Sequence, residues 1–126
     1  MILTIWLCIL TVLSLAPIGG GPKFFPHQDK VAHFIFYAIT CSLIIFEFRR
    51  RRPAVAGDRG RYIKTLMLAA ALSSVFGLLM EVGQEVFTTT RHFEVMDNVA
   101  NMSGSIAAAL YLMRRTPAIG GRDGTD

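Results

Sequence analysis

Four apolar runs, separated by glycine, proline and arginine, constrain this chain more than any other feature. They cover residues 1–18, about 31–48, about 65–87 and about 97–113. A bilayer core about 30 Å thick is crossed by about 20 mostly apolar helical residues, and each run reaches or approaches that length. In lipid, only helices and closed barrels satisfy every backbone hydrogen bond. The runs are unbroken blocks of Leu, Ala, Met, Ile and Phe without strand-like alternation, so they read as helices. The sequence therefore predicts one all-α domain, a membrane bundle of four transmembrane helices, with a short mobile tail over residues 116–126. The breakers fall between the runs: Pro17, Pro22 and Pro26 with Gly19, Gly20 and Gly21, then Pro53, Gly57 and Gly60, then Pro117, Gly120 and Gly121.

Composition supports the same class. Of 126 residues, 52% are apolar and 17% charged, against about 25% charged in a soluble domain. That excludes a disordered chain, and two cysteines exclude a disulfide-dense secreted scaffold. Cys8 and Cys41, inside apolar runs, read as buried small side chains. The first run lacks the basic start and small-residue cleavage pattern of a signal peptide, so it is expected to be a retained helix.

Lys and Arg set the expected orientation. Residues 49–64 carry seven of them and the tail three more, which makes ten on one side against Lys23, Lys30 and Arg91 on the other. The Arg-rich side is expected in the cytoplasm with both termini, in an inner membrane crossed several times. The Arg49–Arg52 run reads as an anchor on anionic headgroups, with Glu47 paired to it, and no nucleic acid partner is expected.

Ionisable residues within membrane segments are expensive and tend to mark function. Here they gather at one end of three helices. Asp29, His33 and Tyr37 recur every four residues and share a helix face, beside Lys30. Glu81 stands i, i+3 to Gln84 and i, i+4 to Glu85. Asp97, Asn101, Gly104 and Ala108 share a face on the last helix, just after Arg91. Simpler roles stand beside functional ones: Asp29 and Asp97 as helix caps, Asn101 as interhelical glue, and Gly77, Gly104 and Ala108 as close-contact positions. No CxxC pair, P-loop or G-x-S-x-G elbow is present, so no cofactor is expected.

Three motifs in order, Asp29-Lys30-x-x-His33-Phe34-x-x-Tyr37, Glu81-x-x-Gln84 and Arg91-x-x-x-x-x-Asp97-x-x-x-Asn101-x-x-Gly104, resemble the VanZ-like family of small bacterial membrane proteins. The resemblance covers about residues 29–112. Thr88, Thr89 and Thr90 depart from it, where the family often has a Pro/Gly turn. It implies a polytopic helical protein related to the accessory protein of teicoplanin resistance, with no settled biochemical activity.

Two functions follow as expectations. In the first, the site binds an anion at the extracytoplasmic face. Arg91 and Lys30 hold a phosphate or carboxylate, and His33, Tyr37, Glu81, Gln84, Asp97 and Asn101 complete the site. The partner would be a membrane lipid headgroup, a lipid-linked cell-wall precursor or a lipoglycopeptide. In the second, the protein is an intramembrane enzyme acting on a phospholipid or such a precursor. Its catalytic candidates are His33, Glu81 and Asp97, and these could work by acid–base transfer or hold a divalent metal.

Overall fold

The computed structural model describes residues 1–16, 24–53, 57–89 and 92–115. They form four helices and, among the described residues, no strand. The helices are α1 (Ile2–Leu15), α2 (Gln28–Arg51), α3 (Arg59–Phe87) and α4 (Val95–Arg115). The expected tail over 116–126, Arg91 and the Gly/Pro stretch at 17–23 lie outside the described residues.

The observed helices differ from the expected runs at their ends. α1 stops at Leu15, and Ala16 is extended with φ −64° and ψ 136°; it precedes Pro17, which disfavours helical geometry in the residue before it. α2 begins three residues earlier than expected and continues through Arg51, so Arg49, Arg50 and Arg51 occupy its last turn. Cations there complement the helix dipole. Neither Asp29 nor Asp97 caps a helix. His27 is the N-cap of α2, in the left-handed region at φ 59°, and Asp29 sits in the first turn, as Asp97 does in α4. α3 starts six residues early because Asp58 caps it, accepting the Arg61 backbone N–H at 3.0 Å.

Two helices are long and apolar enough to cross a membrane, α2 and α3, and 28% of the residues in the apolar window of each are buried in the bundle. The core helix of a soluble protein would be mostly buried. α1 has 14 residues and so spans only about 21 Å. α4 has 21 residues, but Asp97, Asn98, Asn101, Ser103 and Ser105 dilute its hydropathy.

Successive helices run in opposite directions. The C-terminal ends of α1 and α3 therefore meet the N-terminal ends of α2 and α4: Ser14 contacts Gln84, and Lys30 contacts Asp97. The opposite end collects Arg49–Arg52, Arg59, Arg61, Lys64, Arg114 and Arg115. There Glu47 pairs with Arg50 at 3.2 Å and Arg51 at 2.7 Å.

α2 and α4 form the closest pair. A Cβ on Gly104 would fall onto the Phe34 carbonyl oxygen, with the carbonyl carbon at 2.9 Å. Only glycine allows that approach. Gly77 plays the same part on α3, where a Cβ would meet Asn101 Nδ2 at 2.9 Å and Tyr37 Cε1 at 3.0 Å. Toward the arginine end, Cys41, Ile44, Ile45, Tyr62, Leu66, Ala69 and Ala108 form an apolar core. Cys8, expected to be buried, is instead exposed on α1, while Cys41 is buried.

Candidate functional site

Lys30 opens the site. It lies in the first turn of α2, and its ammonium meets Asp97 Oδ1 at 2.6 Å, Glu94 Oε2 at 2.8 Å and Asp29 Oδ2 at 3.2 Å. An ammonium has three hydrogens, and each has a carboxylate. Lys30 is therefore committed to the protein's own acids.

One turn deeper, His33 reaches three residues on two other helices. Its Nδ1 is 2.9 Å from Asn101 Oδ1 and 3.6 Å from Glu81 Oε1, and its Nε2 is 3.8 Å from Asp97 Oδ2. Helical spacing produces this convergence. Lys30 and His33 are i, i+3 on α2, and Asp97 and Asn101 are i, i+4 on α4. Because the two helices run parallel, the pairs sit at matching depths, and α3 brings Glu81 in from the side.

The two carboxyl groups nearest His33 are arranged alike. Asp97 gives one oxygen to Lys30 and turns Oδ2 toward the ring. Glu81 Oε2 accepts the Glu94 backbone N–H at 3.5 Å and turns Oε1 toward the ring. Glu81 is 1% exposed, and its Oε1 has no hydrogen-bond partner. Asn101 Nδ2 and Asn98 Oδ1 are also buried without a partner. A buried polar atom left unpaired costs about 1–3 kcal/mol, and more when charged.

A hydroxyl layer lies below the site. Ser105 Oγ is 2.8 Å from Ser73 Oγ and 3.0 Å from the Asn101 carbonyl, and Ser73 donates to the Tyr37 carbonyl at 3.2 Å. Both serines are fully buried. They separate the polar end from the apolar core and hold α2, α3 and α4 in register.

Of the residues singled out from sequence, Lys30, His33, Glu81, Asp97 and Asn101 form one cluster. Tyr37 lies beneath it, its ring beside Asn101 across Gly77. Gln84 is not part of the cluster: its Nε2 donates to the Ser14 carbonyl at 3.2 Å and ties α1 to α3. Arg91 lies outside the described residues. The sequence reading missed Glu94, which pairs with Lys30 and donates its N–H to Glu81; its i, i+3 spacing to Asp97 was the available signal. It also missed Ser73 and Ser105, which no motif marks. Glu85 holds the connection before α4 by accepting the Phe93 N–H at 2.8 Å.

The described part of the site is acidic, with carboxyl groups on Asp29, Glu81, Glu94 and Asp97 against the single ammonium of Lys30. Such a place attracts a cation or a hydrogen-bond donor. It repels a bare anion unless a further positive charge is supplied. No family model, curated protein or solved structure matches this chain.

Proposed function

We propose that this chain is a VanZ-like protein of the bacterial inner membrane that crosses the bilayer four times, with both termini in the cytoplasm. In this reading the polar cluster lies at the extracytoplasmic face. It engages the headgroup of a membrane lipid or lipid-linked cell-wall precursor, in an accessory role in the cell envelope. Buried Glu81 Oε1, Asn101 Nδ2 and Asn98 Oδ1, all without partners, carry the proposal, because a bundle end built only for packing would pair them. The charge distribution supports the orientation: the arginines collect at one end and the cluster lies at the other. The apolar exteriors of α2 and α3 support contact with lipid. The motif order from Asp29 to Gly104 supports the family, and in this reading Arg91 supplies the positive charge for an anionic headgroup.

A second reading makes the protein an intramembrane enzyme acting on a phospholipid or lipid-linked cell-wall precursor, with His33 as general acid–base. It is favoured by the contact of His33 with both Glu81 and Asp97.

The test is native mass spectrometry of the full chain purified in mild detergent from its membrane. Wild type is expected to retain phospholipid or lipid-linked precursor, and Arg91→Lys to lose most of it while melting at an unchanged temperature. Arg91→Lys keeps the charge but not the two-pronged donor. Equal retention by both proteins, or none by either, would remove the headgroup role. Maleimide labelling of Asp58→Cys in intact cells reads the orientation; labelling from outside would invert it.

A further inference from the structure

We propose that His33, Glu81 and Asp97 form a binding site for one divalent first-row metal ion of the zinc or manganese type. Each residue offers one ligand atom, and the three atoms lie within 4.8 Å of one another. Ligand atoms around a bound ion stand closer than that, since metal–ligand bonds of about 2.0–2.2 Å set their separation.

The observation that points to a ligand is Glu81 Oε1. It is fully buried, lacks a hydrogen-bond partner, and faces His33 Nδ1 at 3.6 Å. Each carboxylate is already anchored through one oxygen, Asp97 by Lys30 and Glu81 by the Glu94 N–H, so each presents the other oxygen in a fixed direction. His33 turns Nδ1 toward Glu81 Oε1 and Asn101 Oδ1 and Nε2 toward Asp97 Oδ2, so one ring nitrogen can take the ion while an oxygen acceptor holds the other. Metal-bound histidines ordinarily show this arrangement, with the second ring nitrogen held by a hydrogen-bond acceptor. One imidazole and two carboxylates make a mixed nitrogen and oxygen set, which favours zinc or manganese over all-oxygen calcium or magnesium sites. Three protein ligands leave a coordination position open on the side where His33 and Asp97 are partly exposed.

The neighbouring group Asp29, Glu94 and Asp97 has comparable spacing, but the Lys30 ammonium already occupies its centre. The ion therefore belongs on the Glu81 side. This inference rests on the polar cluster being a ligand site, as proposed above, but not on lipid binding. It also strengthens that reading, because a bound dication adds a second positive charge to that of Arg91 and offsets the repulsion of a phosphate headgroup by these four carboxyl groups.

The experiment is zinc and manganese uptake by the full chain in detergent, after chelation and dialysis, read by elemental analysis, titration calorimetry and melting temperature. Wild type is expected to take up one ion per chain, to melt higher with zinc or manganese, and to ignore magnesium. His33→Ala and Glu81→Gln should lose both the ion and the shift. Asn101→Ala should bind about 10–100-fold more weakly. His92→Ala, an exposed histidine beside Glu85, should bind like wild type. Glu81→Gln preserves side-chain shape and should fold; should it not, Asp97→Asn is the second variant. No stoichiometric uptake by wild type, or equal affinity in wild type and Glu81→Gln, overturns the metal site. Lipid retention by the chelated protein is measured separately, so either proposal can fail alone.

Discussion

At the arginine end, Ile45, Leu66 and Ala69 are buried against apolar neighbours, and among the described residues no buried side-chain polar atom there lacks a partner. At the other end Glu81 and Asn101 are as deeply buried, yet each carries an atom without a hydrogen-bond partner. Lipid tails are as apolar as Leu, so in a bilayer the first kind of contact gains little from the hydrophobic effect and holds by shape. The second kind is costly until a ligand completes it. The bundle thus has one end that is finished by its own side chains and one that is not. The Ser73–Ser105 layer marks the boundary between them.

The largest expected effect breaks the scaffold common to both ends. Gly104→Leu should abolish folding, because the clash is with the Phe34 backbone carbonyl rather than a flexible side-chain tip. It should exceed the about 1–3 kcal/mol of ordinary overpacking. Gly83→Ala is its control, since a Cβ there meets Leu15 Cδ2 at 3.4 Å. Replacing that helical glycine should raise stability by up to about 1 kcal/mol. Monodispersity and melting temperature in detergent distinguish the two, and a folded Gly104→Leu would mean that α2 and α4 do not approach as closely as described.

The comparison sharpens with one substitution at each end. Ile45→Ala leaves a cavity and should destabilise by about 2 kcal/mol, the low end of the range for such changes, because the transfer contribution is small against lipid. Glu81→Gln in metal-free protein should be neutral or stabilise by about 1 kcal/mol, since it replaces a buried ionisable group, one oxygen of which lacks a partner, by a neutral one. Equal losses in chemical denaturation would make Glu81 ordinary packing and erase the distinction between the ends.

The smallest effect concerns pH at the start of α3. The Arg61 backbone N–H, with smaller contributions from the Gly60 N–H and the cations Arg61 and Lys64, holds the Asp58 carboxyl below the usual carboxylate range. A depressed value in the folded state means that the ionised form stabilises the helix end at neutral pH. That stabilisation is lost as pH falls below about 4 toward the folded-state value. Circular dichroism should show slight fraying at pH 3 in wild type, and the same fraying at both pH values in Asp58→Ala. Pronounced unfolding of wild type at pH 5 would place the sensitive group elsewhere.

The helical class was legible because run length and the absence of alternation are local properties. The gathering of ionisable groups at one end was legible for the same reason: i, i+4 spacing fixes a face, and the position of Asp29, Glu81 and Asp97 along their runs fixes depth. Helix ends were less legible. Asp58 caps α3 from within a stretch that reads as a basic loop, and His27 caps α2 through its backbone without a side-chain bond.

What only the tertiary structure decided is which of the clustered residues meet. Gln84 shares its helix end with Glu81, but helix rotation turns it toward Ser14 of α1 while Glu81 faces His33. Lys30 reads as a free cation in sequence and is saturated in the fold, because the parallel approach of α2 and α4 allowed by Gly104 brings Glu94 and Asp97 within its reach. The sequence alone determined that charge is concentrated at this end. Its sign as a ligand would feel it, acidic rather than basic among the described residues, depends on distances between helices that no spacing along a single chain can encode.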